Sequence, residues 1–221
     1  MAFVNTAGRG KFQAVALLMV GDKSAIFQCV VKGYRDTLFL HSNRQFVREC
    51  YIYGTVDFIF GNAAAVVQKC TILVRKPLKG QENVVVAQGR TDPNQNTGII
   101  FHATEASAAP DLVPVQRNFT TYIGRAWQPF SRTVLMQSGL DDLIDPAGWL
   151  QWNSSDVYLD TLYFGEFQSG GDGADLSKRV KWPGYHIINK TDEAKQFTVG
   201  NFLDGGSWLP STGVAYDLSI F

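Results

Sequence analysis

The sequence predicts an all-β fold, a right-handed parallel β-helix, in which short strands wind into stacked coils. Three observations support this prediction. The chain's cysteines are spaced 21 and 20 residues apart, at Cys29, Cys50 and Cys70. Each cysteine lies in a similar short segment, and no helical period interrupts the region. A repeat of about 20 residues built from short strands is typical of a solenoid, and the Leu/Asn consensus of leucine-rich repeats is not present.

Apolar, β-branched runs predict the strands in chain order. Residues 1–12 are polar and glycine-containing, a poor start for a core. Strands are expected at residues 13–20, within the regular coils over 24–75, and at 84–88, 98–101, 120–127, 132–137 and 161–168. The Ala- and Pro-rich stretch 104–118 is expected to be a long loop, and the segment 141–152 an aromatic-rich loop. Such loops on a rigid scaffold often wall a binding cleft.

One short helix is expected near the C-terminus, over residues 191–197. Thr191 would be its N-cap, with acidic residues in the first turn. The tail that follows, residues 205–210, is turn-like. No stretch has the composition of a linker, so we expect a single domain over residues 1–221.

Composition excludes several functional classes. Lys plus Arg and Asp plus Glu both total 20, so the net charge is zero, which does not favour binding to nucleic acid or to a membrane surface. The longest apolar runs, such as residues 63–67, are too short to span a bilayer. The first residues lack the basic and apolar regions of a signal peptide, which indicates either a cytosolic protein or a fragment of a longer chain. Sequons at Asn118, Asn153 and Asn189 would accept glycans in a secretory pathway.

The cysteines and histidines do not predict a metal site. There is no CxxC motif, and the histidines are scattered at positions 41, 102 and 186, so neither zinc nor another metal is expected. Three cysteines cannot all pair internally. Stacked one above another, they are either small interior residues or include a Cys50–Cys70 disulfide, which the spacing of adjacent coils permits.

Two aspartates in apolar surroundings are the candidate catalytic residues. Asp57 lies inside the apolar run 54–62, where a carboxylate is costly unless it is paired or used. Asp36 and Asp57 each follow a cysteine by seven residues, whereas Pro77 stands at the third such position. Equivalent residues of adjacent coils lie roughly 4.8 Å apart. We therefore expect the two carboxylates to be neighbours, with one pKa raised, and to form the working pair of a hydrolase.

Short motifs along nearly the whole chain resemble those of plant-type pectin methylesterases. They are Gln13-Ala14-Val15-Ala16-Leu17, Asp36-Thr37-Leu38, residues 54–61, Gln88-Gly89-Arg90-Thr91-Asp92-Pro93, Gly124-Arg125 followed by Trp127, and the closing Gly205-Gly206-Ser207-Trp208-Leu209. The resemblance implies a right-handed parallel β-helix that hydrolyses methyl esters of galacturonate in pectin without a metal or other cofactor. It also implies a secreted enzyme of the cell wall, here expected to be a monomer, with a proteinaceous inhibitor as a further candidate partner.

The resemblance also implies roles for individual residues. Asp57 resembles the nucleophile and Asp36 the general acid and base. Gln13 resembles an oxyanion donor, and Arg125 the arginine that orients the nucleophile and binds substrate. The aromatic residues that resemble those lining the family's cleft are Trp127, Phe60, Tyr122 and Trp152. The repeat by itself does not bring Arg125 to the aspartates, because Arg125 lies several coils downstream.

The chain departs from the family pattern at three points. Arg35 stands where the family usually has a glutamine that helps bind the oxyanion, and Ala126 stands where proline is usual. The family's N-terminal coils are missing, so we expect a truncated chain. A guanidinium at position 35 can still donate to an oxyanion. Its charge beside Asp36 would lower the pKa of that acid, and we therefore expect reduced activity.

Two other functions fit the same residues. One is a non-catalytic, pectin-binding relic, suggested by Arg35, Ala126 and the missing coils. The other is a glycosidase on the same scaffold, since paired carboxylates also cleave glycosidic bonds. No additional acid cluster like that of polygalacturonases is present in the sequence.

Overall fold

The computed structural model describes residues 1–153 and 155–221, and its strands form a parallel β-helix. Each coil contributes one strand to each of three sheets, which we call A, B and C. Coil by coil, the strands are β1 (Ala2–Val4), β2 (Leu17–Met19) and β3 (Ser24–Phe27); β4 (Val30–Lys32), β5 (Leu38–Leu40) and β6 (Arg44–Arg48); β7 (Tyr51–Gly54), β8 (Val56–Gly61) and β9 (Ala64–Gln68); β10 (Thr71–Val74), β11 (Asn83–Gln88) and β12 (Gly98–His102); β13 (Glu105–Ala108), β14 (Thr121–Ala126) and β15 (Arg132–Met136); β16 (Gly139–Leu140), β17 (Trp149–Leu150) and β18 (Tyr163–Phe167).

Strands of adjacent coils pair in parallel, and a last strand, β19 (Tyr185–Ile187), extends sheet C beyond β18. Val31 pairs with Ile52, and Ile52 pairs with Ile72. These offsets of 21 and 20 residues equal the cysteine spacing. The repeat in the sequence is therefore the length of one coil, and the predicted parallel β-helix is confirmed.

The cysteines lie at the corner where sheet C passes into sheet A, each directly after a residue with positive φ. The backbone N–H of Cys29 donates to Cys50 Sγ at 3.4 Å, and that of Cys50 donates to Cys70 Sγ at 3.3 Å. Thr104 and Ser138 continue this ladder, with Thr104 N–H donating to Ser138 Oγ at 3.1 Å. All three thiols are free and buried. The interpretation of the cysteines as small interior residues is confirmed. The alternative of a Cys50–Cys70 disulfide is wrong, because both thiols are free and each accepts a backbone hydrogen bond from the preceding coil.

Four strand predictions need correction. Within residues 104–118, expected to be a loop, Glu105–Ala108 forms β13 because its backbone pairs with β10. In the aromatic-rich loop, Trp149–Leu150 pairs with β14. The strand expected at 13–20 contracts to Leu17–Met19, and residues 2–4 of the polar start form β1. In each case the pairing surface of the neighbouring coil outweighs local composition.

The C-terminal segment packs on the outer face of sheet C. It contains α1 (Thr191–Lys195), α2 (Val199–Leu203) and short 3-10 turns. Phe202 and Leu209 join outward-facing residues of sheet C, such as Val66 and Ile100, in a second apolar core. The first core fills the interior of the coils.

Helix α1 confirms the predicted element but not its N-cap, because that position belongs to Lys190, which makes no side-chain cap. A capping threonine is found one helix later, where Thr198 accepts a hydrogen bond from Asn201 N–H at 3.4 Å. Within the described residues, no helix has the length and apolar character needed to cross a bilayer. Of the predicted sequons, Asn118 and Asn189 are exposed, whereas the third includes Ser154, which lies outside the described residues.

Candidate active site

The two aspartates lie in one open cavity of about 390 Å³ beside the corner where sheet A passes into sheet B. Ten residues line it: Gln13, Val15, Arg35, Asp36, Phe39, Asp57, Phe60, Ala87, Trp127 and Trp152. The N–H of Asp36 donates to Val56 O at 3.1 Å, so the two aspartates occupy neighbouring coils. The spatial pairing expected from the seven-residue offset is thus observed.

A β-bulge explains how an acid sits in an apolar strand. Between β8 and β11 the register shifts, because Val56 pairs with Val84 while Ile59 pairs with Val86. Asp57 lies in this bulge with a φ of 49°, in the left-handed region that costs most residues energy but is tolerated by Asp. Bulges re-aim side chains near active sites. Phe58 and Ile59 remain in the core while the Asp57 carboxylate faces the cavity.

Gly61 ends this strand at a position that only glycine can fill. Its φ is 129°, and a Cβ there would lie 1.9 Å from Leu40 O of the coil before. The close approach of the two coils at Gly61 follows directly after Phe60 in the cavity wall. It therefore helps to fix the strand that carries Asp57.

Arg125 reaches Asp57 across one intervening strand. Arg125 Nε donates to Asp57 Oδ1 at 2.8 Å and Nη2 donates to Oδ2 at 2.5 Å. Ala87 pairs with both Phe60 and Arg125 in the sheet, and its small side chain leaves room for the guanidinium to cross. Asp57 is 7% exposed and Arg125 14%. This bidentate pair gives the buried Asp57 carboxylate a counter-charge and fixes the orientation of both its oxygens.

Asp36 has the properties of a proton donor. Burial, followed by the charge of Asp57, raises the pKa of Asp36 from 3.8 to about 6. The guanidinium of Arg35 and the amide of Gln13 oppose this rise and lower the pKa. The predicted direction is therefore observed, although burial contributes more than the neighbouring carboxylate. Asp36 is thus neutral in a substantial fraction of molecules at mildly acidic pH.

Arg35 lies in the cavity beside Asp36, although adjacent strand residues normally point to opposite faces. A φ of 57° at Asp36 bends the backbone and brings both side chains to the site. Arg35 Nε lies 3.5 Å from Asp36 Oδ1, and neither atom has a hydrogen-bond partner among the described residues. The guanidinium also lies 5.4 Å from the ring centre of Phe12. Its Nε–H is buried, but the side chain as a whole is 29% exposed, so the rest of the guanidinium can meet an acceptor that enters the cavity.

Aromatic rings form the rest of the wall. Phe39 stacks on Phe60 with ring centres 4.4 Å apart, and Trp127 meets Phe60 edge-on at 6.1 Å. Trp152 lies 4.4 Å from the guanidinium carbon of Arg125. Tyr122 is partly buried on β14 and does not line this cavity. It is the one predicted site residue that the structure leaves apart.

Three lining residues were not predicted: Val15, Phe39 and Ala87. The repeat contained the signal for Phe39, because it follows Asp36 by three residues as Phe60 follows Asp57. Gln13, predicted as an oxyanion donor, does line the cavity and is exposed. Within the part of the chain that the structure describes, no group of three His, Cys, Asp or Glu side chains is arranged to hold a metal ion.

The parallel β-helix thus brings two buried aspartates into one cavity, one clamped by arginine and one with a raised pKa. Comparison with known proteins identifies the family. Residues 1–206 match the family model described as Pectinesterase. The chain therefore belongs to the pectinesterase family.

Individual relatives agree with this assignment. The chain is 58% identical to Pectinesterase 3 of Solanum lycopersicum, over 96% of this chain and 39% of the relative. It is 54% identical to Probable pectinesterase/pectinesterase inhibitor 61 of Arabidopsis thaliana, over 98% of this chain and 37% of the relative. A solved structure, pectin methylesterase from carrot, superposes with a TM-score of 0.98 at 52% identity, covering all of this chain and 69% of that one. The chain thus spans less than half the length of these curated relatives.

Proposed function

We propose that the protein hydrolyses methyl esters of galacturonate units in pectin and releases methanol. The observation that carries this proposal is the difference between the two aspartates of one cavity. Asp57 is paired with a bidentate arginine that supplies a counter-charge, while the pKa of Asp36 is raised to about 6. Two carboxyl groups whose environments separate their protonation states can serve as nucleophile and acid.

In the first step, an Asp57 oxygen attacks the ester carbonyl carbon. The C–OCH₃ bond breaks, and Asp36 gives its proton to the departing methoxide, which leaves as methanol. The product is a mixed anhydride between Asp57 and the galacturonyl group. General acid–base assistance of this kind contributes roughly 10²–10⁴ in rate.

In the second step, water attacks the galacturonyl carbonyl of the anhydride and Asp36 takes the water proton. The product leaves as galacturonic acid, which ionises to galacturonate by losing its proton to solvent, and Asp57 regains its charge. Gln13 and Arg35, both in the cavity wall, donate to the oxyanion formed in each step. Arg125 and the rings of Trp127, Phe60 and Trp152 bind the sugar chain.

The setting of this activity follows from the substrate. Pectin is a polymer of the plant cell wall, so we propose a secreted protein that acts there as a monomer. Several relatives are named pectinesterase/pectinesterase inhibitor. A proteinaceous inhibitor that covers the cavity is therefore a proposed partner.

Methanol release from methylated pectin tests the proposal. Asp57→Asn is expected to abolish release, because asparagine tolerates the positive φ but is not a carboxylate nucleophile. Asp172→Asn, at an exposed acid outside the cavity, is the matched control and should retain full rate. Pectin binding by a folded protein that releases no methanol would instead favour the non-catalytic relic. Shortening of unmethylated polygalacturonate would favour a glycosidase.

A further inference from the structure

A second, basic cavity lies on the same side of the solenoid as the active site. Its volume is about 590 Å³, and it is lined by three cationic side chains, Arg9, Lys76 and Lys79. Its apolar surface comes from Pro77, Leu78, Val115 and Phe119. Among the described residues, none of those lining the cavity is acidic.

The cations of this cavity have no carboxylate partner in the part of the chain that the structure describes. Among the ion pairs of the described residues, none includes Arg9, Lys76 or Lys79. Asp111 lies nearby, but its carboxylate pairs with Arg75 at 3.3 Å and also accepts from the Lys76 backbone N–H at 3.4 Å. Three cations that face one cavity without a counter-charge create a local positive potential that attracts anions.

The basic cavity adjoins the active site along the chain. It is built from the connections β1–β2, β10–β11 and β13–β14, all of which pass from sheet A to sheet B. Asp36 lies in the equivalent connection between β4 and β5. Arg9 of the basic cavity and Gln13 of the active site are four residues apart, so their Cα atoms are separated by at most about 14 Å. One sugar chain of a few units can therefore occupy both cavities.

We propose that this basic cavity binds galacturonate units whose methyl esters have already been removed. The proposal rests on the proposed function, because such units are its product. Their carboxylates would pair with Arg9, Lys76 and Lys79 through charge-assisted hydrogen bonds. The apolar faces of the sugar rings would pack against Val115 and Phe119. A neutral methyl ester lacks this charge, so the cavity distinguishes de-esterified from esterified stretches of one chain.

Binding of an unmethylated oligogalacturonate, measured by calorimetry, tests the proposal. This ligand has no ester, so the result does not depend on esterase activity. The triple variant Arg9→Gln, Lys76→Gln, Lys79→Gln is expected to bind about tenfold more weakly than the unsubstituted protein, with a smaller dependence on salt. Protein from a host that does not glycosylate is required, because Asn118 of the sequon lies at the cavity.

The control removes the same charge elsewhere, with Lys178→Gln, Lys181→Gln and Lys190→Gln at exposed positions outside both cavities. It should bind the oligosaccharide like the unsubstituted protein. Equal affinity of all three proteins would overturn the proposal. Polyglutamate that binds as tightly as the oligogalacturonate, and is weakened as much by the triple substitution, would also overturn it, since the cavity would then recognise charge without sugar. Loss of binding in the triple variant supports it even if no methanol is released from methylated pectin, an outcome that would refute only the esterase.

Discussion

Replacing Arg35 with glutamine is expected to increase methanol release at neutral pH. The Arg35 guanidinium lies 3.5 Å from Asp36 Oδ1 and lowers the pKa of Asp36, which burial and Asp57 nevertheless keep at about 6. At pH 7 an acid with this pKa is protonated in about one-tenth of molecules. Removing the positive charge raises the pKa further. The largest gain that protonation alone can give at pH 7 is therefore about tenfold.

The assay is initial-rate methanol release from methylated pectin between pH 5 and 9. The decline of kcat/KM at alkaline pH reports the acid of the free enzyme, and it should move to higher pH in Arg35→Gln. Arg35→Met is the matched control, because it removes the same charge and also the donor. If Arg35→Met is slower than Arg35→Gln, the difference in rate measures the hydrogen bond that the glutamine amide donates to the oxyanion. An Arg35→Gln protein that folds normally but has an unchanged or lower rate would refute the reasoning.

Three further predictions concern stability, each measured by denaturant unfolding. Asp36→Asn should stabilise the protein by about 3 kcal/mol at pH 8, since the pKa of Asp36 is about 6 in the folded protein against the ordinary value of 3.8. The gain in stability should fade as the pH drops through 6 and vanish below about 4. A gain that does not depend on pH would contradict this cause. Arg125→Met should cost about 3 kcal/mol by leaving Asp57 buried and unpaired, and adding Asp57→Asn should recover most of it; no recovery would show that packing, not charge, causes the loss. Glu166 accepts hydrogen bonds from Trp149, Arg179 and Tyr185. Glu166→Gln should therefore cost about 3 kcal/mol of unfolding free energy by leaving the Arg179 charge unpaired. A loss below about 1 kcal/mol would mean that the glutamine amide replaces the carboxylate as hydrogen-bond acceptor and that the charge contributes little.

Most of the fold could be predicted from the repeat of about 20 residues, because this is the length of one coil wherever the connections between its strands are short. From β10 onward the connections lengthen, and the period disappears from the sequence. The strand Glu105–Ala108 was missed for this reason: its Ala/Ser composition is not that of a strand, and only pairing with β10 makes it one. The C-terminal packing was also not predictable, since it joins residues 66 and 202, which lie far apart in the sequence and belong to no common repeat.

The candidate site divides in the same way. Asp36, Asp57 and their common cavity follow from a seven-residue offset within the regular coils. The Arg125 clamp does not, because it depends on the one intervening strand, β11, and on the small side chain of Ala87. The bulge at Asp57 leaves no distinct pattern in the sequence. Family resemblance supplied the placement of Arg125, whereas neither route predicted the basic cavity at Arg9.

Trapping of the covalent intermediate tests the division of roles between the two aspartates most directly. Hydroxylamine added during turnover of methylated pectin attacks a mixed anhydride and can convert the enzyme's carboxyl to a hydroxamate. Mass spectrometry of the digested protein then locates the modified residue. The mechanism predicts the hydroxamate on Asp57, with none in Asp57→Asn. A hydroxamate on Asp36 would contradict it, as would methanol release with no hydroxamate on either the enzyme or the galacturonyl product.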